Sequence, residues 1–307
     1  MVHELKAHVV RNPQARLIEC ACSPYHQNSA LYPIIDWLER AVLQFQRDDS
    51  PQEKLMKIEG LIAQNGLSLP ETVPLFAALL SIPLGEKYAP LNMTPKRQKQ
   101  ETLAALLNLL LLLAAQPRFP LKNTEGKLGL FVVEDLQWVD PTSLELLNLI
   151  LEQGPTYRIL TVLTFRPDFM PAWPLRSRLT HITLSRLPRK DAESMVSRVA
   201  KGKALPEAVR EHVVSKTDGV PLFVEEMTKM LLESGLLEER GGQYELQGLL
   251  AQLSIPTTLR DALMARLDRL TTAKEVAQLG AVLGREFPKR SQPRRICSPI
   301  ITPPPAL

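Results

Sequence analysis

The sequence predicts an α/β fold, in which a parallel sheet with helices is followed by a mainly helical domain. Two segments, Leu128–Val133 and Arg158–Phe165, are continuous apolar runs, as is typical of parallel strands covered by helices on both faces. A helical pattern separates them, and strand–helix–strand alternation favours parallel pairing with right-handed crossovers. Beyond Leu187 the pattern is helical, apart from a hairpin signal. We therefore divide the chain into residues 1–187, 188–287 and a tail, 288–307.

Apolar residues that recur every three or four positions predict the helices, and prolines punctuate them. In the first domain they are residues 1–12, Leu31–Phe45, Glu53–Gln64, Glu71–Leu80 and Pro95–Gln116. Asp140 has the chemistry of an N-cap, with proline after it, and it predicts a further helix through Glu152. Leu17–Cys22 and Thr180–Leu184 are shorter strand candidates. The second domain is predicted to contain Arg189–Ala200, Pro206–Lys216, Pro221–Ser234, a hairpin over Leu237–Leu246, Thr257–Leu270 and Thr272–Leu283.

Composition limits the class of protein. Of the 307 residues, 45% are apolar and 23% charged, as in ordinary soluble globular proteins. The basic excess comes from residues 288–307, which hold four basic residues, six prolines and no acid, and which we expect to be disordered. Three cysteines cannot form a disulfide framework, and the most apolar run, Leu103–Ala115, is too short to span a bilayer. We expect a cytoplasmic protein with no membrane partner.

The strongest local signal for chemistry is the pair of acids that follows an apolar strand, Glu134 and Asp135. In open α/β sheets ligands sit at the carboxyl ends of the strands. A carboxylate there can hold Mg²⁺, and a neighbouring one can orient an attacking water. The alternative is that the two acids only mark the exit of the strand into solvent.

Three further groups of residues have both a functional and a structural interpretation. Arg166 follows a predicted strand and could reach a phosphate, or it could be a surface arginine paired with Asp168. Pro221 follows Gly219-Val220 and, taken alone, is a proline at the first turn of a helix. Three residues, namely Cys20, Cys22 and His26, have the chemistry of zinc ligands, but strand cysteines are usually core residues, and we favour that interpretation.

Five stretches of the sequence, in consistent order, resemble one family. They are CSPYHQNSALYPIIDWLERAV (22–42), LFVVEDLQWVDPTSLELL (130–147), LTFRPDF (163–169), DGVPLFVEEMTKMLLESGLL (218–237) and IPTTLRDALMARLDRL (255–270). The chain is similar, over roughly residues 1–287, to STAND-type P-loop ATPase modules of the AAA-like kind attached to bacterial adenylate/guanylate cyclases and related regulators. The resemblance implies a P-loop NTPase-type sheet followed by a winged-helix-like domain.

The resemblance also implies roles for individual residues. Glu134 and Asp135 would be the Walker B acids that hold Mg²⁺ and activate water, with the division of roles left open. Arg166 would be the sensor arginine, and Pro221 would be a contact of the helical domain that senses bound nucleotide. The implied cofactors are ATP and Mg²⁺, and the implied partners are output or sensor domains of a parent signalling protein.

One element of the family pattern is missing from the sequence. No GxxxxGK[ST] phosphate-binding loop is present: the first glycine is Gly60, and neither Gly126-Lys127 nor Gly202-Lys203 has the rest of the motif. We therefore expect that the chain begins inside the helix that follows this loop, without the loop and the first strand. The resemblance also stops near Phe287, so we expect an interior fragment of a longer gene.

Two hypotheses for the function follow. The first is an ATP-binding signalling ATPase module, an Mg-ATP-dependent switch. The alternative is a non-catalytic remnant or protein-interaction module without nucleotide turnover. A third idea, DNA binding by a winged helix over residues 222–246, is disfavoured because this stretch has two basic and six acidic residues, which would repel phosphates.

Overall fold

The computed structural model describes residues 2–12, 15–115, 128–154, 157–170, 173, 179–247, 258–269 and 274. These residues fall into two compact units that divide between positions 177 and 178. Arg186 and Leu187, close to the boundary predicted from the sequence, contact Asp218 and Gly219 and thus belong to the second unit. Apart from Lys274, the predicted helix Thr272–Leu283 lies outside the described residues, as does the tail, 288–307.

The first unit is an α/β structure, and its three described strands form a parallel sheet in the order β1-β2-β3. The strands are β1 Ala15–Ala21, β2 Leu128–Glu134 and β3 Ile159–Leu163. The helices are α1 Val2–Val10, α2 Tyr32–Trp37, α3 Pro51–Gln64, α4 Leu69–Leu79, α5 Pro95–Ala115 and α6 Pro141–Gln153. The predictions of a parallel α/β sheet and of these three strands are confirmed.

Both faces of the central strand β2 are covered, as its continuous apolar sequence requires, whereas β3 is only partly buried and Leu160 is exposed. Alternate residues pack in a small cluster under α1, formed by Val9, Ala15, Leu130 and Val132. The intervening residues belong to the main core with α2–α6, and they include Ile18, Cys20, Phe131 and Val133. At Gly129 a Cβ atom would lie 2.9 Å from the Cβ and the carbonyl oxygen of Ala114, so only glycine lets α5 approach the sheet this closely.

The predicted helix Leu31–Phe45 is shorter and less regular than its periodicity suggests. Leu31 has a left-handed conformation (φ 59°), α2 follows it, and a π-helical turn, Leu38–Val42, completes the segment. The Leu43 N–H donates to the carbonyl oxygen of Leu38 at 2.8 Å, and both residues are buried. The wider turn therefore lets both leucines enter the core, which a regular α-helix over these residues would not do.

The predicted strand Thr180–Leu184 is wrong. These residues have no regular structure, and the side chains of Ile182 and Leu184 are 62% and 73% exposed. A strand is stabilised by its neighbours, and among the described residues the sheet ends at β3 with nothing paired on its outer side. The alternation of apolar residues in this segment therefore has no sheet to join.

Helix α5 carries the longest apolar run of the chain. Leu106, Leu109 and Leu110 are buried in the main core of the first unit, which confirms the interpretation of Leu103–Ala115 as a core helix. Within the described ranges, no helix combines the length and the apolar character that crossing a membrane requires.

The second unit is mainly helical and has its own core. Its elements are α7 Arg189–Val199, α8 Glu207–Thr217, α9 Pro221–Glu233, β4 Leu237–Arg240, β5 Gln243–Leu246 and α10 Leu259–Arg269. Helix α9 is central to this core, since Phe223, Val224, Met227 and Met230 are all buried. The predicted hairpin is present: β4 and β5 pair antiparallel around Gly241 and Gly242.

Candidate functional site: the carboxyl edge of the parallel sheet

The three parallel strands end at the same level, and their last residues define the carboxyl edge of the sheet. Ala21 is in register with Glu134, and Val133 is in register with Leu163. Backbone hydrogen bonds continue beyond the strands: Cys22 N–H donates to Glu134 O at 2.9 Å, and Thr164 N–H donates to Val133 O at 3.0 Å. Residues that lie far apart in sequence are therefore fixed close together here.

Glu134 is held by a lysine from α1. Because side chains alternate along a strand, Glu134 lies on the α1 face of the sheet, as does Glu19 on the neighbouring strand. Lys6 Nζ lies 3.0 Å from Glu134 Oε1 and 2.6 Å from Glu19 Oε1, and the lysine side chain is only 15% exposed. Burial alone would lower the pKa of Lys6, but hydrogen bonds to the two carboxylates and their negative charges outweigh it and raise that pKa. Lys6 is therefore a charged bridge between the two strands.

Asp135 is separated from Glu134 by a change of backbone direction. Its φ of 63° places it in the left-handed region, where Asp is one of the few non-glycine residues that occurs regularly. Its N–H donates to the hydroxyl of Thr164 at 3.2 Å, and the next N–H, of Leu136, donates to Thr164 O at 2.9 Å. These bonds to the chain beyond β3 hold the turn, so the two neighbouring acids face different surroundings.

Gln137 connects Asp135 with Arg166. Its side-chain nitrogen donates to Asp135 Oδ1 at 3.1 Å, and its side-chain oxygen accepts from the backbone N–H of Arg166 at 3.2 Å. The Arg166 guanidinium carbon lies 5.0 Å from the centre of the Trp138 ring, within the range of a cation–π contact. The structure thus brings together three of the four predicted site residues, Glu134, Asp135 and Arg166, and it adds Lys6 and Gln137, which the sequence analysis did not single out.

Asp140 anchors the segment that leads from β1 to α2. The carboxylate is buried and acts as the predicted N-cap of α6: Oδ1 accepts from Thr142 N–H (3.0 Å) and Ser143 N–H (2.9 Å), and Oδ2 accepts from the Ser143 hydroxyl (2.5 Å). Oδ1 also accepts from the N–H of Leu31, 109 residues away in sequence, at 3.1 Å. One carboxylate therefore ties the segment before α2 to the start of α6.

Pro221 lies in the second unit, at the first position of α9. The residue that fixes the backbone there is Gly219, with φ 68°, whose added Cβ would stand 2.3 Å from the carbonyl oxygen of Leu187. The Leu187 N–H donates to Gly219 O at 2.8 Å. In this unit Pro221 is an exposed residue at a helix start, next to a turn that requires glycine.

The zinc alternative for the Cys20, Cys22 and His26 set gains no support. Both cysteines are buried in the core, and the His26 ring stacks on Tyr32 with centroids 3.7 Å apart. Burial, with added repulsion from the charges of Asp140 and Asp135, raises the pKa of Cys22 to about 12, which disfavours the thiolate that a metal would bind. Across the described residues, no group of three or more His, Cys, Asp or Glu side chains is arranged to hold a metal ion.

The two acids fit Mg²⁺ only in part. Carboxylate oxygens are the ligands that Mg²⁺ prefers, and Glu134 and Asp135 stand at the edge where such an ion would meet a ligand. However, the oxygen of Glu134 nearest to Lys6 already carries a cation at 3.0 Å. An Mg²⁺ ion at Glu134 would have to compete with that ammonium group.

Comparison with known proteins gives a distant relative and no fold match. The chain is 27% identical, over 283 residues, to an uncharacterized protein of Rhizobium meliloti (strain 1021). The matched region covers 90% of this chain and 25% of the relative, so the chain spans about a quarter of that protein's length. No protein-family model matches the sequence, and no solved structure matches it.

Proposed function

We propose that this chain is part of an ATP-binding signalling ATPase of the STAND type, in which the carboxyl edge of the sheet faces the phosphates of Mg-ATP. The observation that carries the proposal is the convergence of Glu134, Asp135 and Arg166 at one edge of a parallel sheet. Two carboxylates and a guanidinium group, carried by residues at the ends of neighbouring strands, are the groups that position Mg²⁺ and respond to the charge of a phosphate. The resemblance noted above points to the same chemistry.

In the proposed function the chain is one region of a longer protein. The relative from Rhizobium meliloti is about four times longer than the matched region, since that region is 25% of its length. Output or sensor domains elsewhere in such a protein would be the partners of this region, and the state of the nucleotide would be passed to them. Pro221 and the turn at Gly219 belong to the mainly helical unit that would receive this signal.

By itself, the chain as given is proposed not to turn over nucleotide. Its sequence has no GxxxxGK[ST] loop, whose backbone N–H groups and lysine hold the phosphates in P-loop proteins. In addition, Lys6 already neutralises part of the acidic edge. The isolated chain should therefore bind Mg-ATP very weakly, and calorimetric titration of the purified chain is the direct measurement. A micromolar dissociation constant would contradict this part of the proposal.

The switch function itself is tested on a longer product. The test begins by translating, in the same reading frame, the genomic DNA on the 5′ side of the first codon. The proposal expects a GxxxxGK[ST] motif there, ahead of α1. The extended protein should then hydrolyse ATP, and Asp135→Asn should abolish turnover, whereas a matched surface change, Glu145→Gln, should not. An extended protein that carries the motif but neither binds nor hydrolyses ATP would refute the proposal.

An interaction module without turnover is a second candidate, favoured by one observation. The side chains of Ile182 and Leu184, in a segment without regular structure, are largely exposed. Isolated exposed apolar residues are common, but two large ones two positions apart in one segment favour a protein partner over solvent. Sedimentation of the Ile182→Ser/Leu184→Ser double variant, compared with the wild type at several concentrations, measures whether these residues drive association.

A further inference from the structure

Two carboxylates on adjacent strands share one ammonium group at the sheet edge. Glu19 and Glu134 lie on the same face of β1 and β2, two residues apart in register, a diagonal arrangement in which side chains of neighbouring strands meet. Lys6 bonds to both of them, at 2.6 and 3.0 Å, and is the least exposed of the three side chains, at 15% against 44% and 34%. Without a cation between them the two negative charges would repel each other.

The helix that supplies the lysine is fixed independently of this ion pair. Val9 of α1 is buried against Ala15, Leu130 and Val132, and the partly buried Val2 and Leu5 pack on the same cluster. Apolar packing of Val2 and Val9 therefore fixes the position of Lys6, and the ammonium group reaches the acids with little further loss of conformational entropy. A lysine held in this way differs from an exposed surface ion pair, in which two mobile side chains must be ordered.

We propose that Lys6 occupies the cation position of the acidic edge, so that it keeps divalent metal ions away from Glu134. The inference rests on the proposed function and concerns the same edge of the sheet. It adds a regulatory contact: a divalent ion binds Glu134 only when α1 moves and takes Lys6 away from it. The proposal thus concerns Glu134, whereas Asp135 faces the Thr164 and Gln137 side of the turn. This assigns different roles to two acids that the sequence alone treats as equivalent.

The test measures binding of Mn²⁺, a paramagnetic substitute for Mg²⁺, to the full chain without nucleotide, by electron paramagnetic resonance. Lys6→Gln should raise Mn²⁺ affinity by about tenfold or more, because a unit positive charge within a few ångströms of a divalent ion is removed. Glu134→Gln in the Lys6→Gln background should abolish that gain. The control is Lys99→Gln, since Lys99 forms an exposed ion pair with Glu145 at 2.7 Å and should leave Mn²⁺ affinity unchanged.

Two results would overturn the inference. One is Mn²⁺ affinity that Lys6→Gln does not raise; the other is wild-type Mn²⁺ binding that already depends on Glu134. If Lys6→Gln does not fold, the ¹⁵N-labelled ammonium group of Lys6 in the wild type gives a second measurement: titration with diamagnetic Mg²⁺ should leave its chemical shift unchanged. A saturable shift would show that a divalent ion displaces Lys6 from Glu134 and would overturn the proposal. Because no nucleotide is used, these outcomes are independent of whether the chain binds ATP.

Discussion

Replacing Asp140 by alanine should destabilise the first unit more than the loss of an ordinary helix cap. The buried carboxylate caps α6 and also accepts the N–H of Leu31, which is itself buried. Loss of an N-cap costs about 1 kcal/mol. An unsatisfied buried N–H adds about 1–3 kcal/mol. We therefore expect the free energy of unfolding to fall by about 2–4 kcal/mol in total, from these two contributions.

The assay is urea unfolding followed by tryptophan fluorescence. All three tryptophans, Trp37, Trp138 and Trp173, lie among residues 1–177, so their signal reports the first unit alone even if the two units unfold separately. Ser50→Ala is the matched control, because Ser50 is a partly exposed cap of α3 whose side chain bonds to Glu53, three residues along the chain. It should cost about 1 kcal/mol or less.

Asp140→Asn separates the two contributions further. The asparagine oxygen can still accept from the backbone N–H groups, but the amide nitrogen replaces the acceptor of the Ser143 hydroxyl, so we expect a loss of about 1–2 kcal/mol. The reasoning is refuted if Asp140→Ala costs no more than Ser50→Ala. In that case the bond across 109 residues to Leu31 would contribute nothing to stability.

Three further predictions concern single residues. Gly219→Ala should lower the urea concentration at which the second unit unfolds markedly more than Gly202→Ala does, as monitored by hydrogen exchange of α9. Both glycines have positive φ, but an added Cβ at Gly219 would lie 2.3 Å from the Leu187 carbonyl oxygen, whereas nothing lies within 4 Å of one at Gly202. Equal losses of stability in the two variants would show that the close approach to Leu187 does not matter. Burial raises the pKa of Cys22 from its ordinary 9.0 to about 12, so at neutral pH its thiolate is roughly 1000-fold less populated. Iodoacetamide should therefore modify Cys22 only after denaturation, as followed by peptide mapping, and rapid modification of Cys22 itself in the native protein would contradict this. Burial, and then the charge of Lys216, lower the pKa of His212. The stability that the neutral ring contributes is therefore complete above pH 6.5 and is lost as the pH falls through the lowered pKa. His212→Gln should remove this pH dependence from the hydrogen exchange of α8, and an unchanged pH profile would refute the prediction.

The strands were predictable because their signal is local. Leu128–Val133 is apolar on both faces, and a strand buried between two layers of helices needs no other information. Arg158–Phe165 does contain a strand, but it is only partly buried, because among the described residues it is the last strand of the sheet. Thr180–Leu184 failed because alternation identifies a sequence able to pair, whereas pairing depends on a neighbour at the right place in space. The π-helical turn at Leu38–Val42 was not predicted either, since it departs from the 3.6-residue period on which helix prediction depends.

The candidate site was predictable residue by residue but not as an arrangement. Glu134 and Asp135 are visible as acids at the end of an apolar strand, and Asp140 is visible as a helix cap. The contact between Lys6 and Glu134 joins residues 128 positions apart. It depends on the register of two strands and on how α1 packs against the sheet. In the sequence Lys6 is simply a polar residue between apolar ones on an amphipathic helix, so no local pattern signals its partner.

The main-chain bonds at the carboxyl edge have a consequence for how such a protein can change over time. Cys22, Leu136 and Thr164 are attached to neighbouring strands through their backbone N–H groups, and these bonds are the same whatever the side chain. Mutation can therefore add, remove or exchange the reactive side chains at this edge while the backbone arrangement stays the same. A descendant of such a protein could lose its catalytic side chains entirely and keep the same backbone surface, on which side chains for another function can evolve.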